Sequence, residues 1–284
     1  MKLREQNFTL LVDKAQRHAK RSSKHLWQRL NLPHSEKTPF FVVGSQRSGT
    51  TMLMKVLEKS PYTRVYQEHS RRAFQTNWRL MPPTVIKSLV DESHAPVVVF
   101  KPLCDAHLTD QLLKQHPTSK AVWIFRDYCD VANSAVTKWN THLKDVMRRI
   151  TEGDWQTLGW RGERLCEEMI SLVKQVYTPE MTPQEAAAMQ WYLRNQFYFQ
   201  LGLDSNPRVL LMRYENLVLD PKLEMRRLMH FVDAPYDHSI VDDVSDRSIG
   251  KGIDVALSPE VDYVCSELLI RLNQTHDSKF SVSV

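Results

Sequence analysis

Phe40-Phe41-Val42-Val43 runs directly into Gly44-Ser45-Gln46-Arg47-Ser48-Gly49-Thr50-Thr51, and Met52, Leu53, Val56 and Leu57 follow at helical spacing. A fully apolar run of this length reads as a strand covered on both faces. The stretch as a whole is therefore strand, glycine-bounded loop and helix. Backbone N–H groups at the start of such a helix, at its positive end, bind oxyanions. The glycine spacing is the G-x-x-x-x-G of nucleoside triphosphatases, yet Thr50 stands where those enzymes place lysine, directly after the second glycine. The cation has moved inside the loop, to Arg47, beside the terminal group of a bound anion. The predicted ligand is a phosphate-like anion handled without metal.

Working outward, Val97–Phe100, Ala121–Phe125 and Val209–Met212 are equally apolar, and helical patterns separate them. Leu108, Leu112 and Leu113 mark one such helix before Pro117. Four buried strands alternating with helices predict an α/β fold with a doubly wound, mainly parallel sheet flanked by helices and a P-loop-like first turn. In such sheets ligands collect at the carboxyl ends of the strands, near a topological switch point. Arg47, Lys101, Arg126 and Arg213 each follow one of the four runs. Four cations in register predict a polyanion site.

Arg47-Ser48-Gly49-Thr50-Thr51 resembles the first signature of the sulfotransferases that use 3′-phosphoadenosine 5′-phosphosulfate (PAPS), a strand followed by a basic-Ser-Gly-Thr-Thr loop. A second match is the strand Ala121–Phe125 with Arg126 at its end and Ser134 eight residues later. In that family this arginine and serine hold the 3′-phosphate, and two helical turns bring the two side chains within reach of one oxyanion. Tyr214-Glu215-Asn216-Leu217 is similar to the family's Tyr-Glu-x-Leu segment, which implies a nucleotide contact for Tyr214 and a structural role for Glu215. Ser245–Gly252 resembles the late loop that closes over the 3′-phosphate, bringing in Ser248 and Lys251. The resemblance implies that Arg47, Ser48, Gly49, Thr50, Thr51, Arg126, Ser134, Tyr214, Ser248 and Lys251 bind PAPS, whose product is 3′-phosphoadenosine 5′-phosphate (PAP). It covers roughly residues 38–270.

Sulfuryl transfer needs cations at the leaving phosphate and a base at the acceptor. Arg47 and the helix N-terminus fill the first role, with Lys101 in support. Many cytosolic members carry Lys-x-His after the second strand, but this chain reads Lys101-Pro102-Leu103. Tyrosylprotein-type members instead place a catalytic glutamate nineteen residues after the loop glycine, and that count from Gly49 reaches Glu68. His69 is the neighbouring alternative and His107 a third. Glu68 on a strand would send His69 to the opposite face, whereas a turn leaves either able to reach the acceptor. An ion pair of Glu68 with Arg71 or Arg72 is the competing explanation.

At 284 residues, 42% apolar and 25% charged, the chain fits one large α/β domain. Residues 1–37 hold nine Lys/Arg and three Asp/Glu, so this basic N-terminal arm exceeds the whole net charge of +5. Phe8, Leu10, Leu11, Ala15, His18 and Ala19 recur at helical spacing before Lys20-Arg21-Ser22-Ser23-Lys24, predicting an amphipathic helix with a basic end that packs on the body, with binding to a membrane surface, a partner or an acidic substrate as the alternative. Domain boundaries are set at 1–37 for the arm and 38–284 for a single domain, with a helical or loop-rich insertion at about 137–190. Trp139, Trp155 and Trp160 in that insertion are candidates for the acceptor pocket.

The sequence shows no run of eighteen apolar residues and no signal-peptide block, which predicts a cytoplasmic protein without a transmembrane segment. Cys104, Cys129, Cys166 and Cys265 lack metal-site spacing, so no metal is expected. The expected partner is a sulfate-accepting substrate, a small metabolite, and not nucleic acid. A P-loop kinase is the alternative enzyme class, disfavoured by the missing lysine after Gly49. A non-enzymatic nucleotide-binding or anion-binding module is the third.

Overall fold

The structure, a computed structural model, describes residues 22–32, 36–244, 250 and 255–282. Five strands make one sheet: β1 Thr38–Gly44, β2 Thr63–Tyr66, β3 Val97–Phe100, β4 Lys120–Phe125 and β5 Val209–Arg213. All pairings are parallel, in the order β2-β3-β1-β4-β5. The sheet thus has one strand more than the four apolar runs predict. β2 is a short edge strand, Thr63-Arg64-Val65-Tyr66, whose two middle residues are only partly covered. It has no continuous apolar run to announce it.

Successive side chains of a strand point to opposite faces, and here they sort into two cores. Phe41, Val43, Val98, Phe100, Ala121, Trp123, Phe125, Val209 and Leu211 belong to one buried cluster. Phe40, Val42, Val97, Val99, Val122, Ile124, Leu210 and Met212 belong to the other. Uniformly apolar strands are thereby explained, since neither face meets water.

The helices are α1 over residues 22–31, α2 Thr50–Lys59, α3 Pro83–Asp91, α4 Thr109–Gln115, α5 Tyr128–Trp139 and α6 His142–Glu152. They continue as α7 Trp155–Leu158, α8 Glu167–Val176, α9 Pro183–Gln200, α10 Tyr214–Leu219, α11 Pro221–Phe231 and α12 Pro259–Val282. None of them is long and apolar enough to cross a membrane. Residues of α2, α10 and α11 cover the second core, while α3, α5, α6, α8, α9 and α12 contribute to the first. Chain connections leave β1 toward β2 on one side and β4 toward β5 on the other. The switch point therefore lies between β1 and β4, and both of the stronger sequence motifs begin there.

The predicted helix over Phe8–Ala19 lies outside the described residues. The arm's described part, α1, is tied to the body beside β2: Gln28 Nε2 donates to the carbonyls of Pro61 (2.8 Å) and Thr63 (3.0 Å), and Lys24 Nζ to that of Glu58 (2.7 Å). Trp27 meets Tyr62 edge-on at 5.9 Å. α6, α7 and α8 lie within 137–190, and Leu143, Val146, Met147, Ile150, Leu158, Met169 and Val173 bury their apolar faces in the first core.

Candidate active site

Two glycines allow the loop after β1 to form. Gly44, at φ 127°, ends the strand so close to β4 that a Cβ would stand 2.2 Å from the Ile124 carbonyl oxygen. Gly49, at φ 89°, precedes α2, and a Cβ there would lie 2.0 Å from Tyr214 Cδ2. Between them Arg47 adopts a left-handed φ of 69°, uncommon for a side chain with a Cβ. Its guanidinium reaches across the switch point: Nε and Nη2 both donate to Ser134 Oγ, at 3.0 and 2.8 Å. Arg47 lies at the exposed mouth of the crevice, yet partial desolvation and then the like charge of Arg126 lower its pKa from the ordinary arginine value.

α2 starts at Thr50 with no side-chain cap on its N-terminus and no acidic residue in its first turn. Ser48 is fully buried and its Oγ has no hydrogen-bond partner. An orphaned hydroxyl under an uncapped, positively polarised helix end is a receptor for oxygen atoms of an anion. The residues present thus fit the oxygen atoms of a phosphate-like anion.

Lys101, buried at the end of β3, donates to Thr51 Oγ1 at 3.1 Å and pairs with Glu68 Oε2 at 2.8 Å. One ammonium group so links the helix N-terminus to the carboxylate two residues beyond β2. Glu68 and His69 lie in a turn, where Glu68 is partly covered and His69 exposed. The competing ion pairs of Glu68 with Arg71 or Arg72 do not form: Arg72 binds Glu92 at 2.6 Å, and the pair found for Glu68 is Lys101. His107, the third candidate, is fully buried. Its Nδ1 accepts from Arg194 Nη2 (3.0 Å), leaving Nε2–H to donate to Glu163 (2.8 Å). Burial and then Arg194 push its pKa down to about 4, so at neutral pH it is uncharged and committed to the core.

Arg126 and Ser134 do not bind each other: Ser134 accepts from Arg47 and Arg126 turns to Asp130. Arg126 Nη2 donates to Asp130 Oδ2 at 2.8 Å, and its guanidinium carbon lies 4.6 Å from the centre of the Tyr214 ring, which backs onto Gly49. Asp130 also accepts from the Gly250 amide at 3.1 Å. Gly250 is the one described residue of the late polar loop, and Ser248 and Lys251 lie outside the described residues. Asp130, in the first turn of α5 and four residues after Arg126, is a contributor that the motif does not assign. Glu215 Oε1 accepts from the Asp127 amide (3.0 Å), tying the ends of β4 and β5 together. Arg213 pairs with Glu215 at 3.4 Å, and its charge is felt at His276 on α12. The fourth strand-end cation is thus engaged apart from the Arg47 and Lys101 contacts.

Residues 37–251 match the family model described as the sulfotransferase domain. Among solved structures, the chain is similar to the sulfotransferase domain from the curacin biosynthetic pathway, at 15% identity over 83% of this chain and 99% of that one, with a TM-score of 0.52. It is also similar to a sulfotransferase from Alicyclobacillus acidocaldarius, at 17% identity over 85% and 95% of the two chains and a TM-score of 0.48. A mouse sulfotransferase complexed with PAP matches at 13% identity over 86% and 88%, with a TM-score of 0.47. No curated protein sequence matches the chain.

Proposed function

The chain belongs to the sulfotransferase family, its domain match spanning residues 37–251, and from that premise we propose that it uses PAPS to sulfate a hydroxyl or amine of a small metabolite. The observation that carries the donor assignment is the buried, partnerless Ser48 hydroxyl under an uncapped helix end, with Arg47 on one side and Lys101 reaching Thr51 on the other. That constellation suits a singly linked phosphosulfate better than a magnesium triphosphate, since Thr50 occupies the position of the phosphate-binding lysine.

PAPS supplies an activated sulfuryl group on a phosphate leaving group. As the acceptor atom bonds to sulfur, the bond from sulfur to the bridging phosphate oxygen breaks, and its electron pair stays with PAP. Arg47 and the amides of Ser48 to Thr51 stabilise that oxygen as charge builds on it. Glu68 takes the acceptor's proton, oriented by its ion pair with Lys101, and the exposed His69 stands next to it as the alternative base. Arg126 and Ser134, with Ser248 and Lys251 from the late loop, are assigned to the 3′-phosphate, and Tyr214 to the nucleotide face next to Gly49.

Calorimetric titration with PAP, and separately with ATP and magnesium, tests the donor. Tight PAP binding without ATP binding is expected, together with transfer of labelled sulfur from PAPS to hydroxylated or amine-bearing acceptors. Magnesium-dependent ATP hydrolysis without PAP binding would replace this reading with the kinase alternative.

A further inference from the structure

Beside the proposed base the charges do not balance. A 3-10 turn, Leu103–Leu108, begins two residues after Lys101. Its Cys104 feels Glu68 and Asp105 as negative neighbours and Arg161 and Arg194 as positive ones, and burial above all pushes its thiol up to about 12. Arg161 comes from the segment after α7 and Arg194 from α9, and both guanidiniums converge on one indole. Their central carbons lie 4.4 and 5.0 Å from the Trp160 ring centre.

Neither cation has a carboxylate of its own among the described residues. Arg194 is 2% exposed, its Nη2 is used on neutral His107, and its Nη1 has no partner. Arg161 is half-buried, its Nε is buried without a partner, and no acidic side chain among the described residues pairs with it. The nearby carboxylates are already taken: Asp105 binds Arg79 and the Leu80 amide, while Glu163 binds Arg79 (2.7 Å) and His107 (2.8 Å). Among the described residues Arg79, Arg161 and Arg194 therefore face only Asp105 and Glu163, since Glu68 is matched by Lys101. Leaving a buried cation uncompensated costs several kcal/mol. Stacking on Trp160 offsets only part of that cost. Trp160 and Arg161 are half-buried, so the cluster is open to solvent on their side.

We infer that the acceptor carries an oxyanion, a carboxylate or a group of like chemistry, which Arg161 and Arg194 hold against Trp160 while Glu68 addresses the atom to be sulfated. The inference rests on the sulfotransferase assignment of the crevice and adds the charge class of its acceptor. Guanidinium groups present paired N–H donors that match the two oxygens of a carboxylate, and two such groups with unused N–H bonds are waiting here. An uncharged phenol or alcohol would leave both unsatisfied.

The test uses the full chain saturated with PAP and two probes of one shape, benzoate and benzamide, titrated by ligand-observed NMR. Benzoate is expected to bind about tenfold tighter, as a hydrogen bond to a charged group allows, with the preference shrinking as salt rises. Arg161→Gln should remove the preference and Arg161→Lys, which keeps the charge without the paired donors, should retain only part of it, PAP binding serving as the check that each variant is folded. Equal affinity for the two probes, no binding of benzoate, or a preference that survives Arg161→Gln would overturn the inference. Failure of PAP itself to bind would instead remove the donor assignment, so the two failures are distinct.

Discussion

Arg47 Nε and Nη2 both donate to Ser134 Oγ, a contact between residues 87 positions apart that spans the gap between β1 and β4. It holds the side chain of a left-handed arginine, at φ 69°, against α5. Ser134 thus positions the cation that stabilises the leaving oxygen in the proposed reaction. Ser134→Ala should lower kcat roughly tenfold, the worth of a charge-assisted bond of about 1.5 kcal/mol, and Arg47→Ala about 10²–10³-fold, by analogy with loss of an oxyanion-hole donor. Arg47→Lys should resemble Arg47→Ala more than the parent, because an ammonium does not reproduce the fork that grips Ser134. Single-turnover rates at saturating PAPS check all three.

That contact also marks how far sequence reading went. Arg47 and Ser134 were both legible, because each stands at a fixed distance from an apolar strand in a motif, and the topology implied by four such strands brings their ends together. Their pairing with each other was not, since the motif assigned Ser134 to a phosphate alongside Arg126, and only coordinates show Arg126 bound to Asp130. β2 escaped because an edge strand of four residues carries no buried run, although Glu68 just beyond it was reached by counting. The Arg161–Trp160–Arg194 stack joins the segment after α7 to α9, residues more than thirty positions apart with no shared motif, and no local pattern encodes such a meeting.

Lys101 and Glu68 should separate chemistry from nucleotide binding. Glu68→Gln keeps the shape beside Lys101 and removes the proton acceptor, so turnover should fall at least about 10²-fold while PAP affinity stays unchanged. Lys101→Met takes away both the partner of Glu68 and the contact to Thr51 at the helix end, and should weaken PAP binding and turnover together. Equal loss of PAP affinity in both variants would contradict these roles.

Gly49→Ala tests the fit between the loop and Tyr214. The new methyl would stand 2.0 Å from Tyr214 Cδ2 at a φ of 89°, two separate penalties. Unfolding in urea should show a loss of roughly 3 kcal/mol or more, with PAP binding abolished. In a Tyr214→Ala background, where the ring is gone, the same glycine change should cost only about 1–2 kcal/mol of backbone strain. If the double variant is no more stable than the sum of the single changes implies, the ring and the glycine are not in the contact described.

His107 gives the protein a pH dependence of known sign. Its folded pKa, about 4, lies below the 6.5 of an exposed imidazole, so between those values the unfolded chain binds a proton that the folded chain refuses. The stabilisation is complete above pH 6.5 and is lost as pH falls toward 4, by up to about 3 kcal/mol. Burial lowers the pKa of His116 and His276 as well, adding loss in the same direction. Urea midpoints measured from pH 7.5 to 5 should therefore decline steadily. His107→Gln, which keeps an acceptor for Arg194 and a donor for Glu163 without titrating, should flatten the decline. A decline of undiminished slope in that variant would assign the acid sensitivity to other groups, since Glu163, held by Arg79 and His107, titrates below the ordinary carboxylate range and loses its contribution only at lower pH.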